Sequence, residues 1–307
     1  MARQISDETR WLLDQLADEV FPGESIEAVE RMGGLTNFTF AVTMPSGKYV
    51  FRLPGEGTER LIDRHDEKVS NELAASLGID ARLIYFNAEK GTKVSDYIEQ
   101  AVTMSPESMR EQRNIEDAAR LFHRLHFCGQ DTGVGFDVFA MAAHYEDIIQ
   151  SNGVPLYPDY EQVADCVSSI KDRTDRFAAP NAPCHNDSLC ENWVRSPERL
   201  YLVDWEYAGM NDPLWDLADV SIEASYTGDM DELLLSTYFE GPISDEARFR
   251  FAANKVLLDF LWSLWGKTRV PYDGDVMEAY AFNRYARLKR TLADPILDGC
   301  RPGLFGD

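Results

Sequence analysis

Basic residues are scarce in this 307-residue chain: 30 Lys and Arg stand against 53 Asp and Glu, a formal net charge of -23. Nucleic-acid binding needs a concentrated basic surface that displaces counterions, so the composition argues against that class. It leaves room for a small cationic ligand, whose encounter rate a negative field around a cleft would raise. Long apolar runs are absent as well: no segment approaches eighteen apolar residues, so neither a transmembrane helix nor a membrane partner is expected. Cysteine is sparse, and the five present (Cys128, Cys166, Cys184, Cys190 and Cys300) are odd in number, irregular in spacing and without a C-x-x-C pair. They read as reduced thiols of a cytoplasmic protein. The N-terminus lacks the basic flank and continuous apolar stretch of a signal peptide. Trp11, Leu12, Leu16 and Val20 instead predict an amphipathic helix within Met1 to Phe21. Internal repeats, low-complexity tracts and Gly/Ser linkers are also missing.

What is present is concentrated in one segment. Cys184-His185-Asn186-Asp187 is followed by Asn192 and then, twelve residues on, by Asp204-Trp205-Glu206. Phosphoryl transfer uses one carboxylate to orient the attacking hydroxyl, with an Asn five residues later and a second carboxylate on a nearby strand to hold Mg²⁺. Asp187, Asn192 and Asp204 fit those roles. Trp193-Val194-Arg195 and Leu200-Tyr201-Leu202-Val203 read as two short strands joined at Ser196-Pro197-Glu198-Arg199, a hairpin that would bring Asn192 and Asp204 together.

The run from Cys184 to Asn192, with Val203 to Gly209 and Asn211-Asp212-Pro213, resembles the choline/ethanolamine kinase family, and within it the bacterial choline kinases. The likeness runs from about Gly33 to Tyr285. It implies an α+β, bilobal protein-kinase-like fold: a small antiparallel-sheet lobe over residues 1–98 that binds nucleotide, and a mainly helical lobe over 99–307 that carries the catalytic loop and substrate site. It implies ATP and Mg²⁺ as cofactors, choline as the substrate, and an assisting role for Glu206 through a water or a second metal.

In the first lobe Phe38, Phe40 and Val42 alternate with polar or small residues, Pro45-Ser46-Gly47-Lys48 turns, and Tyr49 to Leu53 returns as the next strand. Gly33-Gly34-Leu35-Thr36-Asn37 precedes this hairpin. Glycines there would let backbone N–H groups approach phosphate oxygens, with Thr36 and Asn37 adding side-chain hydrogen bonds. Arg52 stands where the general kinase pattern has a Lys. Its fork can make bidentate contacts that Lys cannot, and its expected partner on the following helix is Glu67, or Glu72 one turn away. By the resemblance, backbone groups near Tyr97 and Ile98 would bind the adenine edge.

From about Glu99 the pattern is helical. Ile115, Ala118, Ala119, Phe122 and Leu125 form one apolar face, on which His123 and His126 are packing or hydrogen-bonding residues, while His185 orients the catalytic loop. A quaternary ammonium donates no hydrogen bond, so its site must use aromatic faces and carboxylates. The family resemblance places Trp262, Trp265 and Tyr280 in such a cage, with Glu223 facing the cation and Tyr226 as a weaker candidate. The alternatives are a kinase of ethanolamine, thiamine or an aminoglycoside, and a nucleotide-binding pseudokinase scaffold.

Overall fold

The computed structural model describes residues 5–32, 37–55, 62–177 and 180–298. The chain forms two compact units. Unit 1 contains residues 1–105 and 190–209; unit 2 contains 106–189 and 210–307.

Unit 1 opens with α1 (Asp7–Val20), capped by the Ser6 hydroxyl, which accepts from Thr9 N–H. Leu13, Leu16 and Ala17 are its buried residues, whereas Trp11 and Leu12 are exposed. The expected face is therefore rotated. Positions 13, 16, 17 and 20 complete the i, i+3, i+4, i+7 stripe that an α-helix turns inward, and the large ring at 11 falls outside it. Next come β1 (Ala28–Arg31), β2 (Asn37–Met44) and β3 (Gly47–Pro54), α2 (Arg64–Ser76), and β4 (Leu83–Asn87) and β5 (Thr92–Asp96). The five strands make an antiparallel sheet in the order β1-β2-β3-β5-β4.

The predicted β2–β3 hairpin is present, with Met44 opposite Gly47. Phe40, Val42, Met44, Phe51, Leu53 and Val94 pack with Leu13 and Leu16 of α1 into one apolar core. Phe38 is exposed, beneath the Arg31 guanidinium 5.0 Å from its ring. Because side chains alternate across a strand, Phe51 enters this core and Arg52 faces away from it. On α2 the buried positions Arg64, Glu67, Ser70, Asn71 and Ala74 give that helix a largely polar inner face.

A short strand, β6 (Val102–Thr103), follows where helix is expected. It pairs with β8 of the later hairpin, and Met104 N–H donates to the Trp193 carbonyl at 2.8 Å. This pairing, with Leu202 N–H bonded to the Ile79 carbonyl at 3.1 Å, is why the hairpin segment 190–209 folds with unit 1 although it lies far along the chain.

Unit 2 holds α3 (Pro106–Met109), α4 (Gln112–His126), α5 (Val138–Ser151), α6 (Tyr160–Asp175) and β7 (Ala182–Cys184). The hairpin strands β8 (Trp193–Arg195) and β9 (Leu200–Leu202) belong to unit 1. Then follow β10 (Gly209–Asn211), which pairs with β7, and α7 (Leu214–Glu223), α8 (Gly228–Phe239), α9 (Asp245–Asp273) and α10 (Asp275–Thr291). Helix α9 packs against α5, α6, α7 and α10. Ile115, Ala118, Ala119, Phe122 and Leu125 of α4 are all buried, as their spacing predicts. No helix among the described residues is long and apolar enough to cross a membrane.

Candidate functional site

In unit 1, Val203 N–H donates to the Asn192 carbonyl at 2.9 Å, closing the hairpin and setting Asn192 beside the strand end that carries Asp204. Trp205, buried at 1% exposure, anchors that end by donating its indole N–H to the Leu202 carbonyl at 3.1 Å. Asp204 has φ of 71°, a left-handed conformation that Asp tolerates better than most residues. Its carboxyl is pushed up to about 7, first by burial and then by the Glu206 carboxylate, against the pull of Lys93 and Arg52.

The other predicted residues of unit 1 join in one buried network. Arg52 makes a bidentate pair with Glu67, its second amino group reaching Glu67 Oε2 at 3.1 Å and the Gly91 carbonyl at 3.3 Å. Glu67, and not Glu72, is thus the partner; Glu72 is exposed and only 3.9 Å from Lys68. Glu206 Oε1 accepts from Asn37 Nδ2 at 2.5 Å and from Arg64 at 2.7 Å, and lies 3.7 Å from Arg52. Arg64 also donates to Glu67 Oε2 at 2.7 Å and to Asn37 Oδ1 at 3.0 Å. Desolvation strains the Arg64 charge and its two carboxylate partners more than restore it, so its pKa is raised; Glu67, despite burial, is held low by Arg52 first, then Lys93 and Arg64.

Gly34 and Thr36 lie outside the described residues. Tyr97 N–H is spent on the Lys48 carbonyl at 3.3 Å, and Lys48 Nζ covers its ring at 3.9 Å from the centroid. Tyr97 and Ile98 line an open hollow of about 480 Å³ with Arg82, Asp96 and Arg199, whose lining includes none of Asn37, Arg52, Glu67, Asn192 or Asp204.

In unit 2 the loop bearing Asp187 is held from behind by α7. Asp216, fully buried, accepts His185 N–H and Asn186 N–H, each at 2.8 Å, with its two oxygens. His126 reaches the same carboxylate at 3.1 Å and Tyr238 Oη at 2.9 Å. His126 and His123, bonded to the Tyr238 carbonyl at 2.8 Å, are the hydrogen-bonding residues the α4 pattern suggests. His185 Nδ1 accepts Asp187 N–H at 3.3 Å, an orienting geometry. Asn186, in the left-handed region at φ of 67°, is fixed by Asn211 Nδ2 at 2.9 Å and by the Trp215 indole donating to its carbonyl at 3.1 Å. Asp219 accepts from Ser188 N–H at 2.5 Å and from the Ser188 hydroxyl at 3.0 Å. Burial, then Glu223 and Asp187, push its carboxyl well above the usual range.

Three aromatic rings meet near this loop. Trp262 and Trp265 contact edge to face at 6.3 Å between centroids, and Trp265 and Tyr280 at 5.8 Å. Helices α9 and α10 approach closely enough that a Cβ on Gly266 would lie 2.8 Å from Tyr280 Cδ1. The Tyr280 phenol is raised chiefly by burial, opposed by Arg284 and reinforced by Glu223 and Asp187; Tyr145 on α5, buried, is raised by burial and by Asp187 and Tyr280. Glu223 is 2.6 Å from Arg284, so the predicted acidic residue arrives with a cation of its own. The Tyr226 hydroxyl donates to the Met109 carbonyl at 2.8 Å.

Comparison with known proteins bears on this geometry. Residues 29–236 match the family profile of choline/ethanolamine kinases. The chain belongs to that family. A choline/ethanolamine kinase family protein from Mesorhizobium loti is 33% identical and superimposes with a TM-score of 0.81, over 94% of this chain and 99% of that one. The choline kinase LicA from Streptococcus pneumoniae is 32% identical at a TM-score of 0.80, and LicA in complex with AMP is 32% identical at 0.78, each over 94% and 99% of the respective chains. The kinase-like fold and the reaction class, phosphate transfer to an alcohol acceptor, follow from this membership.

The two residues that tie each network together escape sequence reasoning. Arg64 carries a signal, since it lies one helical turn before Glu67 on the same face. Arg284 stands four residues after Tyr280, where the same spacing puts it beside the ring. Nothing local marks Asp216 or Asp219 as anchors of a loop thirty residues upstream.

Proposed function

We propose that this kinase uses ATP and Mg²⁺ to phosphorylate the hydroxyl of choline, giving phosphocholine and ADP. The observation that carries the choline reading is the contiguous Trp262–Trp265–Tyr280 group, whose phenol feels both Asp187 and Glu223. Aromatic faces with acidic groups behind them recognise a cation that cannot donate hydrogen bonds, and Asp187 is the acceptor for the hydroxyl of the same molecule.

Unit 1 carries the phosphate side of the reaction. Arg52, fixed by Glu67, has its Nε buried and without a hydrogen-bond partner among the described residues, so an anionic oxygen is a fitting partner for it. Asn37, held by Arg64 and Glu206, adds an amide beside the Gly33–Thr36 segment. Asn192 and Asp204 supply the hard oxygen donors that Mg²⁺ prefers. Burial and the nearby Glu206 disfavour ionised Asp204, and a bound cation would reverse that balance. A Mg²⁺ held by these residues would neutralise phosphate charge. Adenine recognition falls to the stretch at Tyr97 and Ile98; the Tyr97 N–H is already used, while the Ile98 N–H makes no hydrogen bond among the described residues. Glu206 acts as the charge partner that sets Asn37, Arg52 and Arg64.

Unit 2 carries the acceptor side. Asp187, oriented by His185 and by the Asp216 and Asp219 anchors, accepts the hydrogen bond of the alcohol, aligning its oxygen for in-line attack. Positioning and charge supply most of the rate, because the transferring group is loose. An ADP-release screen with choline, ethanolamine, thiamine and an aminoglycoside, each with and without Mg²⁺, tests the reading. Choline should give the highest kcat/KM and only with the metal; faster turnover of any other acceptor removes the choline assignment.

A further inference from the structure

Arg284 occupies an unusual place for a positive charge. It is 4% exposed, sits on α10 beside the ring proposed to cradle a cation, and places its guanidinium 4.9 Å from the Tyr280 centroid. One amino group is 2.6 Å from Glu223 Oε1 and the other is 3.5 Å from Asp259 Oδ1. The Glu223 contact is ionic, outside hydrogen-bond geometry. Arg287 supports the arrangement from the next turn: it forks onto Asp259 with two bonds of 2.7 Å and reaches within 3.9 Å of Glu223. Asp259 is therefore satisfied without Arg284, whereas the strong cationic neighbour of Glu223 is Arg284. The side chain also opposes the rise in the Tyr280 pKa.

We propose that Arg284 is a specificity-determining residue: its charge set against Glu223 Oε1 weakens that carboxylate as a hydrogen-bond acceptor for a primary ammonium, and so favours a fully methylated one. The inference rests on the amino-alcohol reading of this site and adds to it. A quaternary ammonium is recognised by ring faces and by the net negative field, neither of which requires a free oxygen lone pair. A primary ammonium enters only if its N–H groups recover the hydrogen bonds lost with water, and an acceptor masked by a guanidinium recovers little. Arg284 offsets only the Glu223 charge, and the Asp187 carboxylate is still felt at the Tyr280 ring beside it.

The test compares kcat/KM for choline and for ethanolamine in the wild-type protein, in Arg284→Met and in Arg284→Lys, with ATP KM and thermal stability measured alongside. Arg284→Met, which leaves Asp259 paired with Arg287, should lower the choline-to-ethanolamine ratio about tenfold, the scale of one charge-assisted hydrogen bond gained by ethanolamine. ATP KM should stay unchanged. Arg284→Lys keeps a cation against Glu223 and should retain most of the wild-type ratio. If Arg284→Met loses both substrates by the same factor, Arg284 is only structural and the proposal is wrong. Should Arg284→Met fail to fold, Arg284→Lys with Glu223→Gln decides: Gln removes the masked carboxylate, so Glu223→Gln alone and the double variant should discriminate alike, and a further change on adding the Lys overturns the proposal. The wild-type ratio by itself tests whether choline is the preferred acceptor, separately from any shift at Arg284.

Discussion

In unit 1 two arginines, Arg52 and Arg64, hold Glu67 and Glu206; in unit 2 two arginines, Arg284 and Arg287, hold Glu223 and Asp259. Each cluster balances two positive against two negative charges, all largely buried except Arg287, whose side chain is 31% exposed. Such networks are poor evidence for stability, because desolvation offsets most of the attraction, but removing one member leaves an expensive orphan. What separates them is the company each keeps. The first adjoins Asn37, Lys93 and Asp204, all polar; the second adjoins Tyr280 and, through it, Trp265 and Trp262. An ionic scaffold is thus used twice to fix side chains, and on the proposed reading the ligand class is set by the groups beside it: oxygen donors for metal and phosphate, rings for an organic cation.

The largest break in this comparison is expected at Asp204 and Asp187, not within the scaffolds. Asp204→Ala should lower kcat by about 10³-fold or more, the scale of losing a positioned charge at the transition state, with the fold of unit 2 intact by near-ultraviolet circular dichroism. Near wild-type kcat at saturating Mg²⁺ would show that Asp204 is not a metal ligand. Asp187→Asn keeps shape and removes the anionic acceptor; kcat should fall at least about 10²-fold with choline KM little changed. A dominant KM effect would instead make Asp187 a binding carboxylate.

Within the scaffolds, the two units should separate by substrate. Glu67→Ala leaves Arg52 and Arg64 with Glu206 as their shared carboxylate, so ATP KM should rise and stability should drop by about 3–5 kcal/mol, the range for breaking a buried pair; denaturant melts and ATP titrations read both. On the other side, Trp265→Ala removes one ring contact worth about 1–2 kcal/mol to a desolvated cation. Choline KM should rise about 5- to 30-fold while ATP KM holds. Equal effects of both variants on both substrates would collapse the distinction between the clusters.

Much of this was legible in the residues and some of it could not be. The hairpin from Trp193 to Leu202 is local, its strands three residues each around a four-residue turn, and spacing sufficed to bring Asn192 and Asp204 together. The apolar face of α4 and the Arg52 strand were equally readable, since periodicity is a short-range property. The α1 face was misread because Trp11 and Leu12 are large and apolar, yet burial follows helical phase more than residue size. The pairings of Glu206 with Asn37 and Arg64 join residues 169 and 142 positions apart, and no local pattern encodes a partner at that distance. The same holds for the return of segment 190–209 to unit 1: strand pairing with β6 depends on two residues, Val102 and Thr103, too few to show alternation.

The smallest expected effect is the one that most sharpens the assignment of α2. Glu72 lies five residues after Glu67 on the same helix, but helical phase sends it outward, where its side chain is 57% exposed and its charged neighbour is Lys68 at 3.9 Å. Exposed pairs of this kind contribute about 0–1 kcal/mol, and substitutions at such positions stay within about 0.5 kcal/mol. Glu72→Ala should therefore leave ATP KM unchanged and move the thermal midpoint by no more than a few degrees, while Glu67→Ala, the same chemical change on the same helix, raises ATP KM and destabilises. The contrast isolates contact with Arg52 from any general effect of removing an acid from α2. If Glu72→Ala raises ATP KM as much as Glu67→Ala does, nucleotide affinity depends on the summed charge of the helix and not on the pair that fixes Arg52.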